Sequence, residues 1–107
     1  LEAAGVDLYV IETMMTLSDA RAAVLAVRSV SDKPIFVSFT CDESGRSLSG
    51  TDVTAALTVL QGMGISAFGL NCSTGPEQML VQLRRLRASD RKAERRYAHH
   101  RRRQDCI

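Results

Sequence analysis

Asn71-Cys72-Ser73 follows an apolar run from Ile65 to Leu70 and leads into Gly75-Pro76-Glu77. The cysteine stands at the carboxyl end of an expected strand, just before a turn and a helix start. In α/β proteins that edge is where chemistry is placed. From position alone, Cys72 is either a metal ligand or a small buried hydrophobe. One cysteine is not a metal site. Glu12 closes the apolar run Leu8-Tyr9-Val10-Ile11, where an ionised carboxylate needs a partner unless water reaches it. Asn71 either orients a neighbouring loop or the cysteine, or closes a strand-end hydrogen bond. The polar stretch from Asp42 to Asp52 is long for a connector, as active-site loops often are. Cys41 at its start reads as core, and the four methionines read as packing residues.

The elements that must hold these residues alternate strand and helix. Leu8–Ile11 is a continuous apolar run, as in a strand buried on both faces. Ser18 is the expected cap of the next helix, with Asp19 in its first turn. Ala22, Leu25, Ala26, Val27 and Val30 supply that helix with an apolar face, and it ends before Asp32-Lys33-Pro34. Ile35–Phe39 is the second strand. Thr51 or Asp52 caps the second helix, which Gly62 and Gly64 close. Ala67–Leu70 is the third strand, and Pro76 suits the first turn of a third helix through Met79, Leu80, Leu83 and Leu86. Three βα units of this kind imply a parallel sheet with right-handed crossovers. They leave open whether that sheet is open or part of a barrel.

With 107 residues there is room for one domain at most. Residues 1–83 carry four basic and nine acidic side chains, whereas residues 84–107 carry ten basic and three acidic ones. Such asymmetry marks segments of different role or origin. The division is placed at about Arg87, giving an α/β segment over 1–87 and a basic tail over 88–107. The tail is poor in apolar residues and reads as disordered, or as an out-of-frame ending. Three cysteines without framework spacing disfavour a disulfide scaffold and point to a reducing cytoplasm. No apolar run has the length of a membrane span. Arg101-Arg102-Arg103 beside His99-His100 provides a rival, non-enzymatic reading, binding to a polyanion or nucleic acid. Nucleic acid is disfavoured because the tail lacks heptads, zinc-finger spacing and an RNA-binding signature.

Three segments in register carry a family likeness. They are Ile11-Glu12-Thr13, Asp42-Glu43-Ser44-Gly45-Arg46 with Gly50-Thr51-Asp52, and Gly69-Leu70-Asn71-Cys72-Ser73 with Gly75-Pro76-Glu77. Together they resemble the homocysteine S-methyltransferase family, and within it the homocysteine-binding module of the cobalamin-dependent members. The likeness covers residues 1 to about 86. It implies a (β/α)8 barrel of roughly 250 residues, of which this chain would supply the fourth to sixth strands with their helices. It also implies zinc held by three cysteines, with Cys72 matching the first. The Gly-Gly-Cys-Cys segment that carries the other two is not in this sequence.

By the same resemblance Glu12 receives the amino group of homocysteine, and Asn71 belongs to the substrate site. Cys72 is a ligand, not a nucleophile, so no residue is assigned a catalytic role of its own. Zinc would hold the homocysteine sulfur as a thiolate that attacks an activated methyl group, giving methionine. The donor implied is methylcobalamin on another module of the parent enzyme; betaine and S-methylmethionine are the alternatives. With one of three zinc ligands and two unpaired strand edges, the isolated chain is expected to be inactive and prone to self-association.

Overall fold

The computed structural model describes the backbone of residues 1–72 and 74–104, with side chains through Asp90. After a 3-10 turn at Glu2–Ala4 come β1 (Tyr9–Met14), α1 (Leu17–Arg28), β2 (Ile35–Phe39), α2 (Val53–Gly62), β3 (Ala67–Leu70) and α3 (Pro76–Gln104). The strands pair in chain order, β1 with β2 and β2 with β3, all parallel.

The helices lie on one face of this sheet. Val24 of α1 and Ala56 and Leu60 of α2 bury against Ile35, Val37 and Phe39 of β2. Leu86 of α3 packs with Val53 and Leu57 of α2 beside Phe68 and Leu70 of β3. The rings of Phe39 and Phe68 stack with centroids 5.5 Å apart. Burying each such side chain stabilises the fold by about 1.5–3 kcal/mol, so the β2 row is the chief contributor to the core.

Among the described residues nothing covers the opposite face. Val10 is 53% and Phe36 39% exposed, and the register places them side by side, followed by Ala67. Burial on both faces, expected from the unbroken apolar runs, is therefore met on one face only. A strand's composition reports the environment it is suited to, and these helices cover a single side.

Two local details also differ from expectation. Thr16, not Ser18, caps α1: its Oγ1 accepts from the Asp19 amide at 3.2 Å. The helix starts at Leu17, which leaves Ser18 inside the first turn. On α3, Gln82 and Leu86 face inward, while Leu80 and Leu83 are exposed. α2 is capped by Asp52, whose Oδ1 accepts from the Thr54 amide at 2.9 Å. The backbone of α3 passes Arg87 unbroken and ends at Gln104; residues 88–104 contain neither glycine nor proline. The role of the basic tail rests on side chains beyond Asp90, which lie outside the described residues.

At the amino-terminal edge of the sheet, Arg28 ties the two helix-to-strand turns together. Its guanidinium donates to the carbonyls of Lys33 at 2.7 Å and Gly64 at 2.9 Å. The carboxyl edge is free to carry the site.

Candidate functional site at the carboxyl edge of the sheet

Because the strands are parallel, all three end on the same edge. β1 loses register between Ile11 and Met14, and Thr13 there has φ 58°. A left-handed backbone is unusual for a β-branched residue. The Thr13 amide donates to Ser38 Oγ at 3.1 Å instead of continuing the ladder. Past β3, Asn71 donates its backbone N–H to the Phe39 carbonyl at 3.0 Å. Its side-chain Nδ2 reaches Thr13 Oγ1 at 2.7 Å, and its carbonyl accepts from Thr40 Oγ1 at 3.2 Å. Cys72 follows, also at φ 58°, with an exposed side chain.

Asn71, Thr13 and Thr40 are thus brought into direct contact, with Glu12 and Cys72 as their immediate chain neighbours. Glu12 is exposed, so water serves its carboxylate and the burial argument for a protein partner does not apply. Asn71 Oδ1 is buried and accepts no hydrogen bond from the described residues. A buried acceptor left in this way costs free energy.

The loop after β2 forms the side wall. Asp42 Oδ1 accepts from the amides of Ser44 at 2.9 Å and Arg46 at 3.0 Å. Hydrogen bonds from Ser44 and the Arg46 backbone hold the Asp42 carboxyl below the usual range. The loop is held to α3. Buried Gln82 donates Nε2 to the Glu43 carbonyl at 3.1 Å, and Arg85 bonds Gln82 Oε1 at 2.6 Å and Asp52 Oδ2 at 2.8 Å. Burial pushes the Asp52 carboxyl up, but Arg85 and Thr54 outweigh it and bring it down to about 2.

Cys41 is core, as expected from the sequence, packed with Val53, Leu57 and Leu86. Burial, and then the Asp42 and Asp52 carboxylates, push its thiol up, which favours the protonated form over a ligating thiolate. Met15, Thr40, Asp42, Ser44, Leu48 and Thr74 line an open cleft of about 720 Å³ at this edge. A hollow of about 590 Å³ between α2 and α3, lined by Leu57, Phe68 and Leu86, lies on the helical side, away from Cys72.

No three potential metal ligands cluster among the described residues. Cys72 is a single exposed thiol, Cys41 is committed to the core, and Cys106 lies outside the described residues. The donors described therefore do not fit a three-thiolate zinc centre. Among the described residues no helix is long and apolar enough to cross a membrane.

Comparison with known proteins decides the family. The model of the family described as homocysteine S-methyltransferase matches residues 1–102. The chain belongs to the homocysteine S-methyltransferase family. It is 37% identical over 87 residues to the methionine synthase of Mycobacterium tuberculosis (strain ATCC 25618 / H37Rv), an alignment covering 77% of this chain. The methionine synthase of Mycobacterium leprae (strain TN) matches with the same identity and coverage. In both cases this chain spans 7% of the relative's length. The family match extends past Arg87 into the basic segment, whereas the likeness carried by the motifs covers residues 1 to about 86.

Sequence reasoning does not single out Thr13, Gln82 and Arg85, which the structure places at this edge. Thr13 enters the sequence reading only as part of the Ile11-Glu12-Thr13 motif, and nothing in its local sequence signals a left-handed backbone. Gln82 and Arg85 are three apart on a helix, so they share a face. That spacing was available as a signal, but the leucines on α3 masked it.

Proposed function

We propose that this chain is a segment of a zinc-dependent homocysteine S-methyltransferase of the methionine synthase type, acting in methyl transfer to homocysteine to give methionine. The observation that carries the reading is the convergence of Glu12, Asn71 and Cys72 on one edge of the sheet, tied through the Asn71–Thr13 hydrogen bond of 2.7 Å. The winding supports a partial (β/α)8 barrel. Strands in sequential order with every helix on one face are what a barrel requires, whereas a doubly wound sheet reverses its order and covers both faces. The uncovered row of Val10, Phe36 and Ala67 then corresponds to the barrel interior.

In this reading Glu12 offers its carboxylate to the ammonium of homocysteine, Asn71 orders the edge, and Cys72 contributes one thiolate to the metal. The remaining thiolates belong to a part of the enzyme outside this sequence. The methyl donor, methylcobalamin in this reading, is carried on other modules, and the setting is cytoplasmic. The chain alone does not turn over.

The test is a titration of the 15N-labelled chain with L-homocysteine under reducing conditions. The amides of Glu12–Thr13 and Asn71–Cys72 shift at millimolar ligand, and Glu12→Gln abolishes the response. Shifts confined to other regions, or none, would overturn the reading. Zinc competition against a chromophoric chelator checks the incomplete centre: the chain should lose to the chelator, and tight stoichiometric retention would refute it.

A further inference from the structure

We infer that Thr13 is a positioning residue, whose hydroxyl anchors a strap of side chains across the carboxyl edge and thereby fixes Glu12 relative to Cys72. The inference rests on the functional reading above for its purpose, but its geometry stands on its own. The strap runs from β1 to β3 over the end of β2. Asn71 Nδ2 donates to Thr13 Oγ1 at 2.7 Å, across 58 residues of sequence. Thr40 Oγ1 donates to the Asn71 carbonyl at 3.2 Å, and the Thr40 amide donates to the Met14 carbonyl at 2.9 Å. The Thr13 amide is in turn held by Ser38 Oγ at 3.1 Å. Each strand end is therefore bonded to another just where the ladder stops.

The backbone indicates that this arrangement is imposed and not merely local preference. Thr13 and Cys72 both sit at φ 58°, a left-handed conformation that is unfavourable for a residue with a side chain. Such outliers persist only where the surroundings over-determine them, and they gather at functional sites. Here they flank the two ends of one hydrogen bond: Thr13 is its acceptor, and Cys72 follows its donor. The amide of Asn71 has its oxygen buried without a donor among the described residues, so Thr13 is the side-chain contact that fixes its rotation. Glu12 directly precedes Thr13, and Cys72 directly follows Asn71. A shift of the strap moves the carboxylate and the thiol relative to each other.

Three substitutions at Thr13 in the full chain separate the hydroxyl from the backbone. Thr13→Val keeps the shape and the strain but removes the hydroxyl; Thr13→Ser keeps the hydroxyl; Thr13→Gly relieves the strain and removes the hydroxyl. The first readout, which needs no ligand, is hydrogen exchange of the Asn71 Nδ2 protons. Exchange should speed by about fivefold in the Val and Gly variants, as for the loss of one hydrogen bond, and stay within about twofold in the Ser variant.

The second readout is the L-homocysteine titration. The Val and Gly variants should need about fivefold more ligand for half-saturation, with the Ser variant restored. A Gly variant that matches the parent in both readouts would show that the hydroxyl is dispensable and would overturn the proposal, as would unchanged exchange in the Val variant. Failure of the parent chain to respond to homocysteine would instead sink the functional reading, leaving the strap to be judged by exchange alone.

Discussion

Replacing Gly45 by alanine tests how the loop after β2 is held. Gly45 is buried with φ +79°, and a Cβ there would lie 2.2 Å from Gln82 Oε1 and 2.5 Å from the Arg85 guanidinium. The left-handed backbone alone costs about 1 kcal/mol. The clash is with flexible side-chain ends, so it is relieved by movement, but moving them breaks two bonds: Gln82 Nε2 to the Glu43 carbonyl, 3.1 Å, and Arg85 to Gln82 Oε1, 2.6 Å. Gln82 is only 4% exposed, so its amide has little water to turn to. At about 1 kcal/mol for each bond lost, the substitution should destabilise the chain by about 3 kcal/mol. For a domain of this size that lowers Tm by roughly 15 °C. Urea unfolding followed by far-UV circular dichroism measures the cost, with an unchanged m value showing that stability alone has moved. In a Gln82→Ala background most of the clash is gone, and Gly45→Ala should then cost only about 1 kcal/mol. An equal cost in both backgrounds, or a cost under about 0.5 kcal/mol in the parent, would refute the view that α3 grips this loop through Gln82.

Asp52 supplies a pH dependence. Its carboxyl is lowered to about 2 in the fold from about 3.9 in an unfolded chain, so its contribution is complete above pH ~4 and fades as pH falls toward 2. Arg85 is 42% exposed at the side chain, which limits the effect to about 1 kcal/mol; Arg85→Met should flatten the acid limb of the stability profile by that much. Thr16→Ala should cost about 1 kcal/mol as the loss of a helix cap, whereas Ser18→Ala should be near neutral in the same thermal melt. On the sheet, Phe39→Ala should cost about 3–5 kcal/mol. Phe36→Ser should change stability little while reducing self-association in sedimentation velocity, since its ring is on the uncovered face.

The strands and helices were legible because their apolar runs and breakers are local signals: Ile35–Phe39, Ala67–Leu70 and the start at Pro76 all stand where composition puts them. The cap of α1 was misplaced by two residues because threonine and serine both qualify and the sequence does not say which turn begins the helix. One-sided burial was illegible for a different reason. Val10 and Phe36 are apolar yet lie on a face that no described residue covers. At the site, the positions of the cysteine and the glutamate at the carboxyl edge were legible from the strand pattern. The Thr13–Asn71 bond joins residues 58 apart and depends on a backbone excursion that no periodicity encodes. Gln82 was hidden among leucines, which read as the inner face of α3 although Leu80 and Leu83 point outward.

Arg28 grips the backbone carbonyls of Ser31, Lys33 and Gly64, and so fixes the spacing of β2 and β3 from below by contacts indifferent to most neighbouring side chains. Variation in the loops above can then proceed without splaying the strands. The spacing of the strands is thus set on the rim opposite the loops, and one guanidinium holds it.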